Sequence, residues 1–321
     1  DMNLMASNPD GSPYRLKVDQ FGTTTNPLYP IANTDDFSYR FRLLSSYKFA
    51  YNPTPWLKFD IQYSFEKQDN NRSRYRAYGY LDLGSYDSGG TKGFLDKWWD
   101  KEFAQTLLAT ANFNKQFGDI TTKAKVSYLY ERDEWEGFNT GGRDFAVRNI
   151  PDFSAIDQSK VYNGSYTGAW VAENIFGILD IDYKAKYIGS FLYRYDGASQ
   201  FGAEQRWHPY FRVSGAYRIT EDVTLPGIDE LKLRAAYGTS GSRPPWNAQY
   251  ETYNLVSGSV SKNTLGNNEL KPSKIKELEV GVNAELLKRF DFEMVCDGEP
   301  FYQGDASFGF FSGNALANQV G

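Results

Sequence analysis

Carboxylates are the reactive side chains that this sequence crowds together most. Glu131, Asp133, Glu134 and Glu136 fall in one short run, and Asp182 follows Asp180 two residues on. Paired carboxylates can do general acid–base chemistry on a glycosidic bond. Oxygen clusters can also hold Ca2+ weakly, but no segment here has EF-hand spacing. A plainer reading fits both groups. Asp180 and Asp182 alternate within a strand-like pattern, so both fall on one face as ordinary wall charge. The 131–136 run falls at the expected end of a strand, where it meets water. The single histidine, His208, argues against a His-based metal site or a Ser-His-Asp triad. It follows Trp207 in an expected loop, where it reads as a solvated side chain. The single Cys296 rules out an internal disulfide framework and reads as a small apolar side chain near a strand end. We assign no catalytic residue, metal ligand or cofactor.

Sugar recognition is a stronger theme. Aromatic faces stack on the C–H faces of sugars, while Asn, Asp and Arg bond the hydroxyls. Trp98, Trp99, Trp135, Trp170, Trp207 and Trp246 lie in or beside the long connections described below. Arg243, Trp246 and Tyr250, in SGSRPPWNAQY (240–250), are candidates for substrate or lid contact, with Trp98, Trp99 and Trp135 as further candidates. Trp and Tyr also gather at strand ends as an interfacial girdle. That is the reading for Trp170 and Trp207.

Elements must position these residues, and composition says which kind. The 321 residues are 17% aromatic, with 24 Tyr, 23 Phe and 29 Gly, which favours β structure. A net charge of −5 argues against a nucleic-acid partner. Mean hydropathy is −0.59, and no run approaches the ~18 apolar residues of a membrane helix. A β-barrel crosses with ~10-residue alternating segments that averaged hydropathy does not see. Asp1–Asp10 is polar and lacks the apolar centre of a signal peptide. A start at Asp reads as a piece of a longer precursor.

Period-2 alternation recurs about ten times, from Tyr39–Phe49 to Phe290–Met294. In residues 275–286, IKELEVGVNAEL, the even positions from Leu278 to Leu286 are all apolar. The odd positions carry Glu277, Glu279, Asn283 and Glu285. Elsewhere Asp180, Asp182, Arg212, Arg218, Lys232 and Arg234 hold the polar rank, and all ten are expected to face a wet lumen. Short gaps (52–55, 117–119, 184–186, 220–229, 287–289) alternate with longer ones (69–101, 132–168, 196–208, 240–272). Short turns on one side and long loops on the other suit an up-and-down transmembrane barrel. A soluble glycan-binding β protein would have strands of ~5–6 residues. It remains one alternative reading, and a passive porin is another.

Three stretches carry a family resemblance: residues 173–220 with DGASQFG and RW, LKLRAAYGTSGSRP (231–244), and LGNNELKPSKIKELEVGVNAEL with its continuation to Cys296 (265–296). They resemble the C-terminal half of the barrel of SusC/RagA-family TonB-dependent outer-membrane transporters. Ala198 stands in an Asp-Gly-Ser-Ser pattern, and Asn-Asn-Glu replaces Asn-Pro-x at 267–269. The segment 297–311 lacks the usual Tyr-Tyr-Asp. The resemblance implies an all-β, antiparallel, partial barrel: 1–36 loop or incomplete strand, 37–296 about ten strands, 297–321 loop and incomplete next strand. It implies energised import of an oligosaccharide, or a peptide, across the outer membrane of a Bacteroidetes-type bacterium, with no enzymatic step. The implied partners are a SusD-like lipoprotein, membrane lipid, and TonB–ExbB–ExbD acting through plug and N-terminal domains absent from this chain.

Overall fold

Alternating apolar and polar residues, rich in β-branched and aromatic side chains, pay out as long strands in the computed structural model, which describes residues 3–7, 14–17, 25–81, 91–298 and 307–311. One short helix, α1 (Leu28–Asn33), precedes β1 (Thr34–Thr54) and β2 (Leu57–Arg76). Then come β3 (Phe94–Phe117), β4 (Ile120–Arg143), β5 (Val161–Tyr183), β6 (Tyr187–Ala198), β7 (Trp207–Arg218) and β8 (Ile228–Ser242). A hairpin, β9 (Thr252–Val256) and β10 (Ser259–Thr264), precedes β11 (Ser273–Leu286), β12 (Phe290–Gly298) and β13 (Ser307–Phe311). One sheet runs in the order β1 to β8, then β11, β12 and β13, so its strands pair in chain order, with the separate β9–β10 hairpin inserted between β8 and β11. The pairs from β5 to β8 and from β8 through β11 to β13 are antiparallel.

The ten expected strands are β1–β8, β11 and β12. The structure departs from expectation in extent. Residues 28–33 are helical and β1 starts at Thr34, inside the segment expected to be loop or incomplete strand. Strands β3, β4 and β5 run 24, 24 and 23 residues, far beyond the alternating stretches. The acidic run 131–136 therefore lies within β4, not at a strand end. Short and long connections still alternate, except that 199–206 is no longer than 219–227. Parts of 1–36, of the 85–93 loop and of 297–321 lie outside the described residues.

Tight turns fix the register at the short end. Lys184 and Ala185 take φ of 59° and 54°, and Leu287 and Lys288 take 56° and 51°. Hairpin turns of this kind prefer Asn-Gly. Here an aspartate stabilises each instead: the Ala185 amide donates to Asp182 Oδ1 at 2.6 Å, and the Lys288 amide to Asp229 Oδ2 at 2.6 Å. Asp182 thus also braces a turn.

The chain divides into two compact units, and β1–β5 contribute segments to both. The first holds residues 1–45, 65–104 and 133–169. Its packed clusters are Leu95, Phe145, Ala155 and Ile156, and Leu16, Tyr29 and Tyr80. They pin the described parts of the 77–93 and 144–160 connections to strand ends. The second holds 46–64, 105–132 and 170–321, with a small cluster of Ala172, Ala198 and Phe201.

Candidate functional site

In β5–β12 the pleat sorts side chains onto two unlike faces. Cross-strand register aligns Leu179 with Phe191, Phe191 with Val213, Val213 with Tyr237, and Tyr237 with Leu278. Leu179, Phe191, Val213 and Leu278 are exposed, as are Val280 and Phe292 further along this apolar face. Monomeric soluble proteins rarely expose such a continuous patch. Aromatic rings bound the face at both ends. Tyr187 stacks on Tyr183 and Tyr217 at the turn end, with centroids 6.3 and 5.1 Å apart. At the loop end Tyr195 stacks on Trp207 at 5.0 Å. From Tyr187 to Tyr195 the strand rises about 26 Å, or roughly 20 Å of thickness at a ~40° tilt, close to the ~25 Å apolar band of a membrane barrel.

The opposite face is charged. Arg234 reaches Glu279 at 3.1 Å and Glu293 at 2.7 Å, and Arg218 reaches Glu230 at 3.1 Å. Register places Asn283 beside Lys232, Glu285 beside Glu230, and Glu277 beside Gly238, which in turn pairs Arg212. Glu277, Glu279, Asn283, Glu285, Lys232, Arg234, Arg212 and Arg218 therefore share one face. Asp180 belongs to it through Ser190 and Ser214.

At the loop end of this polar face, side chains that sequence reading did not connect gather around Arg243. Its guanidinium lies 3.3 Å from Asp196 and 3.7 Å from Glu131, and 5.7 Å over the Trp170 ring. Asp196 also takes Arg194 at 3.2 Å, and Arg194 donates to the buried Asn174 at 2.7 Å. Arg243 thus clasps the long 243–272 connection to three strands. Trp170 packs with Ala172, Ala198 and Phe201 on the polar side, so the girdle expectation fails for it. Trp207 lies in the outer aromatic belt. His208 is not a solvated loop residue: it belongs to β7, is 9% exposed, and its Nε2 lies 2.7 Å from the Gln205 carbonyl. Trp246 and Tyr250 stay exposed on the 243–251 segment, whose base is tied by Gln249 Nε2 donating to the Ser199 carbonyl at 2.5 Å.

In the first unit Trp98, Trp99 and Trp135 stand in strands rather than loops. Adjacent in β3, Trp98 and Trp99 point to opposite faces, so the candidates form no single platform. Arg72 stacks on Trp98 at 5.7 Å, and Trp99 meets Phe138 at 5.5 Å. The Trp135 ring fills the space that a Cβ would need at Gly168, its Nε1 2.8 Å from that position. The same device recurs: Tyr162 crosses Gly141 to Asp96 and Tyr166 crosses Gly137 to Asp100. The repeated four-residue spacings of Gly137/Gly141 and Tyr162/Tyr166 were the available signal. Beyond Phe65 and Phe103 the outer rank turns charged, with Lys67, and with Lys101 bonded to Glu136 at 3.0 Å.

Loop electrostatics are local. The Ser154 hydroxyl and amide beside Asp152, and those of Ser159 beside Asp157, hold both carboxyls below the usual range. Asp144 holds the Lys160 ammonium above its ordinary value by a 2.7 Å bond. Among the described residues no group of three His, Cys, Asp or Glu side chains could hold a metal ion.

A family model described as "TonB dependent receptor-like, beta-barrel" matches residues 4–294. The chain is 25% identical over 236 residues to "TonB-dependent receptor P26" of Formosa agariphila, covering 68% of this chain and 22% of that protein. It is 28% identical over 193 residues to "TonB-dependent receptor P39" of the same organism, covering 56% and 18%. The solved "RagAB peptide transporter" superposes with a TM-score of 0.75 at 17% identity, covering 90% of this chain and 33% of that one. The chain thus spans about a fifth of these curated relatives.

Proposed function

Because the chain belongs to the TonB-dependent receptor-like β-barrel family, matched over residues 4–294, we propose that it is part of the wall of an outer-membrane importer. Family members are receptors and transporters of the outer membrane rather than enzymes. The observation that carries the reading is the two-faced sheet: an exposed apolar rank between aromatic belts, backed by a rank of ion pairs. Lipid solvates the first, and a water-filled passage suits the second. The family also answers the soluble-protein alternative.

The cargo is an oligosaccharide taken up across the outer membrane of a Bacteroidetes-type bacterium and recognised at the loop end of the polar face. Glu277, Glu279, Asn283, Glu285, Asp180, Asp182, Arg212, Arg218, Lys232 and Arg234 line the lumen. Arg243 sets the 243–251 segment, and Trp246 and Tyr250 present aromatic faces from it; Trp98 and Trp135 add contacts along the strands, and Trp99, on the other face of β3, takes no part. A SusD-like lipoprotein closes the outer side, and TonB–ExbB–ExbD supplies energy through domains outside this chain. The likeness to a solved peptide transporter favours peptide as the second cargo reading. Uptake of labelled oligosaccharide by cells carrying the full-length receptor tests the assignment. Uptake that stops on TonB depletion supports it. Uptake that persists without TonB makes the protein a passive porin.

A further inference from the structure

Four arginines crowd the polar face at the loop ends of β2 and β4. Three converge on one ring: Arg74, Arg76 and Arg143 lie 5.7, 5.0 and 4.5 Å from the Phe94 centroid. Arg72 stands beside them. Two carboxylates face this group, and both are already engaged. Asp36 binds Arg72 through both oxygens, at 2.9 and 2.7 Å, leaving Arg74 at 3.7 Å. Asp96 accepts from Tyr162 at 2.6 Å and stands 3.5 Å from Arg143. Among the described residues Arg76 has no carboxylate contact. It stacks on Tyr80 at 4.5 Å, and its Nε is buried without a partner.

Among the described residues the four guanidiniums thus outnumber the two carboxylates by two. The Arg76 and Arg143 guanidiniums each lie within 5.0 Å of one ring centroid. They are thus within about 10 Å of each other, no more than a Debye length at ~0.1 M salt. Like charges at that range repel with little screening. Arg143 already donates Nη2 to the Tyr162 hydroxyl at 3.0 Å and holds Nη1 3.5 Å from Asp96, so the planar N–H edges best placed to take a carboxylate or sulfate bidentately are those of Arg74 and Arg76.

We infer that Arg74, Arg76 and Arg143 around Phe94 form an oxyanion-binding site, and that the imported oligosaccharide carries carboxylate or sulfate groups. This rests on the importer reading above. It adds a charge class that none of the sequence motifs specify.

Calorimetry on the full-length receptor in detergent tests it, with oligogalacturonate as the acidic probe, a maltooligosaccharide of equal length as the neutral one, and oligoglutamate as the acidic peptide. Oligogalacturonate should bind at least about tenfold tighter than the neutral sugar at low salt, and high salt should close the gap. The double variant Arg74→Gln/Arg76→Gln should lose about tenfold for the acidic sugar alone, while keeping wild-type heat-modifiable gel mobility as proof of folding. Equal binding of both sugars, or an unaffected variant, overturns the site and leaves the importer standing. Arginine-dependent binding of oligoglutamate with no binding of either sugar overturns the oligosaccharide assignment and the proposal with it.

Discussion

Single residues carry constraints that composition hides. Gly137 is fixed by the Tyr166 ring, which lies 2.7 Å from where a Cβ would stand. Overpacking of that kind costs about 1–3 kcal/mol. Gly137→Ala should therefore lower the urea midpoint of the full receptor, while Gly189→Ala, with open space around it and no left-handed backbone, should show no such packing loss. Leu287 and Lys288 sit in the left-handed region, at roughly 1–2 kcal/mol per residue for ordinary side chains. Replacing the pair by Asn-Gly should stabilise the receptor by about 1 kcal/mol in the same assay. The 144–160 connection should respond to pH. Asp152 and Asp157 have lowered pKa values, so their contribution is present above the unfolded value near ~4 and fades as pH falls through the folded ones. Lys160 is raised, so its contribution holds below ~10.4 and fades above it. The protection factors of this segment against hydrogen exchange, after division by the base-catalysed intrinsic rate, should be highest between about pH 5 and 10 and fall on either side.

At the scale of elements, the strands were legible and their lengths were not. Leu57 to Phe65 alternates because one rank meets an apolar medium. Beyond Phe65 that rank becomes Lys67 and Asp69, both faces are polar, and the period-2 contrast vanishes although β2 continues to Arg76. The same change at Lys101 and Glu134 hid the loop-side extensions of β3 and β4. The site was legible only in its residue types. Nothing local in SGSRPPW says that Arg243 will meet Glu131 and Asp196, because those contacts depend on how distant strands are registered. The β9–β10 hairpin had a signal, Val256-Ser257-Gly258-Ser259, whose Ser and Gly take φ of 49° and 81°. Strand faces should also differ in tolerance. Val280→Arg, in the middle of the apolar rank, should cost about 2–4 kcal/mol in refolding titrations into bilayers, and Glu279→Gln less than about 1.

For the whole molecule, the sheet order leaves β1 and β13 each with one neighbour among the described residues. Unpaired backbone edges are very costly in lipid. This segment should therefore not form a monodisperse ten-stranded barrel in detergent by itself, whereas the full receptor should show a folded band that shifts on boiling. The central claim is that one sheet face meets lipid and the other water. Single cysteines placed in turn at positions 277 to 286 of the full-length receptor, with Cys296 replaced by Ser, test it in native membranes with a charged, water-soluble thiol reagent. The account predicts modification at 277, 279, 283 and 285, and protection at 278, 280, 282, 284 and 286. Uniform labelling along the strand, or protection of the glutamate positions, would contradict it.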